Sequence, residues 1–101
     1  MTRAATAEFP ELTRVFSGYL HEDFAAEYGS PDAALQAFRE DASPDEWRRF
    51  QREAARFVRW AEAGRFSDVG ALAQQMGSRW SPPSHDALIA LVSTAAGVKR
   101  R

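Results

Sequence analysis

Residues 43–64, SPDEWRRFQREAARFVRWAEAG, decide the fold. Ser43 sets a capping hydroxyl ahead of Pro44, whose missing N–H costs nothing at a first helical position. Glu46, three residues further on, completes a capping box. Trp47, Phe50, Ala54, Phe57, Val58 and Ala61 then recur on a single stripe at about 100° per residue. Gly64 supplies the left-handed stop. The spacing predicts one long helix over 44–63 with its apolar stripe turned towards a core.

The same grammar extends in both directions. Upstream, Leu12, Val15, Phe16, Tyr19 and Leu20 share a helical face, and Ser30-Pro31 opens a second helix carrying Ala34, Leu35 and Phe38. Between these two, Asp23 is placed to cap a short helix containing Phe24 and Tyr28. Downstream, Val69, Leu72, Ala73 and Met76 repeat the pattern, as do Leu88, Leu91, Val92 and Ala95 after the SPPS break at 81–84. Gly29, Gly77 and Gly97 mark further helix ends. No segment alternates β-branched residues, and no Asn-Gly or Asp-Gly turn is present. About five one-sided helices in so short a chain must bury their stripes together. The expected architecture is therefore all-α: a compact single-domain bundle over 1–101, the central helix longest, with 1–8 and 99–101 as frayed ends.

The 101 residues suffice for one core and not for two. Apolar residues make up 45% and charged residues 27%, a balance that folds rather than one that stays disordered. The absence of cysteine excludes disulfides, thiolate nucleophiles and cysteine-based zinc sites. The opening MTRAATAEFPEL lacks the apolar core of a secretory signal, and no apolar run approaches the ~18 residues of a membrane span. The cytoplasm is the expected address, with no membrane partner.

Net charge is only −1, but its distribution is lopsided. Leu20 to Glu46 holds Glu22, Asp23, Glu27, Asp32, Glu40, Asp41, Asp45 and Glu46 against Arg39 alone, a local net of −7. Trp47 to Arg65 reverses the sign to +4. The eight carboxylates are candidate partner-binding residues, because like charges held together on a wet surface add little stability yet steer a basic partner. The bland alternative pairs them with the arginines of the long helix.

Signals for chemistry are weak. His21, Glu22, Asp23 and Glu27 include two types of metal ligand, but the other histidine, His85, is remote and no HExxH spacing exists. The serines stand at caps rather than in a nucleophile elbow, and no glycine-rich loop cradles a phosphate. The expectation is a protein that is not an enzyme and needs neither metal nor cofactor. Arg48, Arg49, Arg52, Arg56 and Arg59 lie opposite the apolar stripe and offer a second reading, a nucleic-acid-binding face or that of a generic helical adaptor. Glu53 among them, and the slightly acidic total, make a solvated helix face the simpler account. Trp60, about 60° off the stripe, is either a contact residue or the cover of a loop. Trp80 reads as a plug holding the following prolines against the core.

The stretch from Phe9 to Phe38, FPELTRVFSGYLHEDFAAEYGSPDAALQAF, resembles the opening of the helical CdiI-type immunity proteins of bacterial contact-dependent growth inhibition systems. The resemblance lies in Phe9-Pro10-Glu11-Leu12, Gly18-Tyr19, His21, Asp23-Phe24, and Glu27-Tyr28-Gly29-Ser30-Pro31 followed by Ala34 and Phe38. It continues in Ser43-Pro44 and in the aromatic before a double proline at Trp80 to Pro83. Phe24 departs from the tryptophan more usual at its position, a change in packing rather than role. The resemblance implies an intracellular protein that binds the C-terminal toxin domain of a large secreted effector and protects the producing cell. A basic nuclease is a natural partner for an acidic face. Tyr19, Phe24, Tyr28 and Phe38, at helical spacing, are expected in the core.

Overall fold

Serine hydroxyls open the helices where the sequence places them. The computed structural model describes residues 5–65 and 68–98, and seven helices run through them: α1 (Ala5–Glu8), α2 (Pro10–Tyr19), α3 (Phe24–Tyr28), α4 (Pro31–Asp41), α5 (Pro44–Glu62), α6 (Val69–Gln75) and α7 (His85–Ala96). No strand occurs among the described residues. Ser30 accepts the Ala33 N–H at 3.1 Å, and Ser84 accepts the Ala87 N–H at 3.1 Å. Ser43 and Glu46 form the full reciprocal capping box at the head of α5. Each cap satisfies donors that a helix start leaves orphaned.

The five expected helices correspond to α2, α4, α5, α6 and α7, and the short one is α3. Ala5–Glu8, inside the span read as a loose end, forms a helical turn packed against α2 and α6. The remaining ends of that expectation, residues 1–4 and 99–101, lie outside the described residues, as does the side chain of Val69. Asp23 stands at the head of α3, but its side chain does not cap it. Its backbone is not extended there, and its N–H donates instead to His21 Nδ1 at 3.1 Å.

Helix α2 starts without a cap of its own, because its N-cap residue is Phe9. The acceptor comes from α5: Glu53 Oε1 takes the Leu12 N–H at 2.8 Å, across 41 residues of sequence. At the other end of α2, the Leu20 carbonyl accepts the Arg79 N–H at 2.7 Å, seating the loop after α6. Gly77 in that loop has φ +90°, and an added Cβ would stand 2.7 Å from Ser17 Cβ. Ser78 Oγ donates to the Trp80 carbonyl at 2.7 Å, and Trp80 packs partly buried on the core as a plug should.

Helix α5 lies centrally, packing most extensively against α7 and also against α2. Its stripe sends Phe50, Ala54, Phe57, Val58 and Ala61 into the core, where they meet Phe9, Leu12, Phe16, Leu35, Met76, Leu88 and Val92. Trp47, expected on that stripe, sits half-buried at its edge, stacked on Phe50 with ring centroids 5.6 Å apart. Of the four motif aromatics assigned to the core, only Phe38 is buried; Tyr19, Phe24 and Tyr28 are half-buried at its rim. For the tyrosines the reason is the hydroxyl, which costs free energy to bury without a partner and so stays at the boundary.

Candidate partner-binding surface

The rim aromatics organise one side of the molecule. Tyr19, at the end of α2, and Tyr28, at the end of α3, stack with ring centroids 6.0 Å apart. Phe38 of α4 stands edge-on beneath Tyr19 at 5.6 Å, and His21 lies 6.2 Å from Tyr28. Polar tips fix these rings in place. The Tyr19 hydroxyl donates to Asp41 Oδ2 at 2.8 Å, and burial together with that carboxylate pushes its pKa up to about 12. The Tyr28 hydroxyl is raised chiefly by its hydrogen bond to Glu27, which also stands 3.3 Å from His21 Nε2.

The eight candidate carboxylates fall into two groups. Asp45 pairs with Arg48 inside the first turn of α5, and Glu46 is held below the usual carboxylate range mainly by the Ser43 N–H it accepts. Asp41 holds the Tyr19 hydroxyl, and Glu27 stands beside His21. Glu22, Asp23, Asp32 and Glu40 are exposed and make no side-chain ion pair or hydrogen bond among the described residues. Asp32 stands apart, nine positions before Asp41 on α4 and thus about 13 Å along the axis. Among the described residues, Asp45 is the member of the acidic segment that forms an ion pair with the arginine face. His21 and Glu27 find no further ligand, and among the described residues no group of three His, Asp or Glu side chains is arranged to hold a metal.

The arginine face is largely engaged with its own chain. Arg49 stands 3.7 Å from Glu11, which also pairs with Arg14. Arg56 donates to the Glu8 carbonyl and lies over the rings of Phe9 and Trp60, its carbon 5.0 Å and 5.6 Å from their centroids. Trp60 in turn packs edge-on against Phe9 at 5.3 Å and carries Arg65 over its face at 3.9 Å, which makes it a cover rather than a bare contact residue. Glu11, Arg49, Arg52, Glu53 and Arg56 line a groove of about 270 Å³. Its half-buried acid, Glu53, has its pKa raised first by desolvation, against the backbone N–H groups of Leu12 and Glu11 that favour the anion.

Two features escape a reading by residue type. Glu53 looks like a charge interleaved among arginines, yet it caps a distant helix. Tyr19 and Tyr28 look like core, and the signal against that is the choice of Tyr over Phe at both positions.

The structure is a small all-helical frame with aromatics at its rim and exposed, unpaired carboxylates among its described residues. The family model described as CdiI immunity protein matches residues 8–89, and the chain belongs to that family. Membership makes it an inhibitor by role rather than an enzyme. No curated protein and no solved structure gives a significant match. No helix among the described residues is long and apolar enough to cross a membrane.

Proposed function

We propose that this chain binds and neutralises the C-terminal toxin domain of a contact-dependent growth inhibition effector in the cytoplasm of the cell that produces it. Membership of the immunity family across residues 8–89 is the observation that carries this reading. A stoichiometric inhibitor needs a complementary surface and no reacting group. The acidic segment, with Glu22, Asp23, Glu27, Asp32, Glu40, Asp41, Asp45 and Glu46, suits a partner with a basic cleft, and a nuclease is the toxin class that such a segment fits best. The nucleic-acid reading has less support, since most of the arginines it needs are already bound to Glu11, Asp45, the Glu8 carbonyl or an aromatic ring.

The test is co-expression with the toxin domain encoded beside this chain. The expected result is survival of the toxin-producing cells and co-purification of the two proteins. Lysine at Glu22, Asp23, Glu40 and Asp41 together should leave the helical circular dichroism intact, slow association and reduce protection. Unprotected cells with the unaltered chain would contradict the immunity reading. Salt-sensitive retention of RNA or DNA in place of the toxin would favour the arginine face.

A further inference from the structure

We propose that the toxin docks on the ring cluster of Tyr19, His21 and Tyr28, and that it presents an arginine side chain to this patch. The inference rests on the immunity reading and narrows it from the whole acidic segment to one place. Three elements converge there: the end of α2, α3, and the end of α4, which supplies Asp41. The Asp41 carboxylate holds the Tyr19 hydroxyl and Glu27 stands 3.3 Å from His21 Nε2, while Glu22 and Asp23 stand exposed in the adjoining turn.

Carboxylates at the edge of stacked aromatic faces match guanidinium chemistry. The flat cation stacks on a ring and offers forked donors to a carboxylate, which an ammonium does less well. Asp41 accepts from the Tyr19 hydroxyl and Glu27 faces the His21 ring nitrogen, and an ionised carboxylate has further acceptor sites for a partner. The chain's own cations nearest in sequence are otherwise occupied: Arg14 pairs with Glu11, and Arg39 lies over Trp47, 4.9 Å from its ring centroid. Hydrogen bonds already fix the rings, so little side-chain entropy is lost when a partner covers them. Tyrosine in a fixed, half-buried setting is also the residue type enriched among binding hot spots. Docking through Arg49 and Arg56 of the arginine face would compete with their internal partners, Glu11 and the Glu8 carbonyl.

The experiment measures association and dissociation rates with the purified toxin domain at about 0.15 M salt, where exposed charges act over only about 8 Å. The double variant Asp23→Lys/Glu27→Lys should slow association more than tenfold. Tyr28→Ala should speed dissociation at least tenfold with its helical spectrum preserved. Asp32→Lys/Asp45→Lys, which changes net charge equally but off the patch, should stay within threefold of the unaltered chain, as should Arg52→Glu. Equal slowing by the two lysine pairs, or patch variants that bind normally, would overturn the patch while leaving the immunity reading intact. An unaltered chain that does not bind the toxin would overturn both.

Discussion

Tyr19 and Tyr28 differ by one oxygen each from the phenylalanines beside them, and that atom places them at the surface. Both phenols have pKa values raised above the ordinary 10.0 of a tyrosine, Tyr19 to about 12. A raised value favours the protonated form in the fold. The stabilisation from this shift is therefore complete below the unfolded value near 10 and is lost as pH rises towards 12. Phenolate absorbance during an alkaline titration should show Tyr19 ionising near 12, and Tyr28 later than a free tyrosine, while the fold persists. Asp41→Asn should lower the Tyr19 step, because the carboxylate contributes to the rise both through its hydrogen bond and through its charge. An unchanged Tyr19 step in that variant would remove Asp41 from the account. Spacing alone placed both tyrosines inside, since periodicity identifies a face but not how far a polar tip lifts a ring out of it.

At the scale of elements, helix starts were legible at the serine caps, whereas Asp68, which accepts the Ala71 N–H at 3.0 Å to cap α6, was not singled out by the sequence. Ser30, Ser43 and Ser84 each lie three residues before the N–H they accept. The cap of α2 was not legible, because Glu53 comes from another helix and no local pattern encodes it. Glu53→Ala should cost about 1–2 kcal/mol, the range for losing a cap and leaving buried donors unpaired. Glu53→Gln keeps an acceptor and removes a charge that burial disfavours. Because the folded pKa of Glu53 is raised, its favourable contribution is full at low pH and is lost as the carboxyl ionises. The glutamine variant should thus melt at or above the parent at neutral pH, with the gap closing by about pH 4. A glutamine variant as unstable as the alanine one at neutral pH would show that the charge itself is needed. Between elements, Gly77 lets the loop after α6 touch α2. Gly77→Ala should cost about 2 kcal/mol or more, from a left-handed φ and from contact with Ser17. Wild-type denaturant unfolding of this variant would mean that the loop moves aside freely.

At the scale of the whole molecule, the fold was largely legible, because one strongly patterned helix dictates what the others must cover. The radius of gyration, 12.4 Å, is close to the ~13 Å of a folded domain of about this length. Phe50 and Phe57 are fully buried in its core, and replacing either with alanine should cost about 3–5 kcal/mol in a denaturant titration. The binding surface was legible only as an acidic stretch of chain. Which carboxylates remain unpaired, and which gather around rings, depends on how α2, α3 and α4 meet, and that follows from tertiary packing rather than from order along the sequence. The central claim is stoichiometric neutralisation of a protein toxin. Titrating the purified toxin domain with this chain while following toxin activity tests it most directly. Activity should fall in proportion to added chain and reach zero at one equivalent. Full activity at several equivalents, or its disappearance at a small fraction of one, would contradict it.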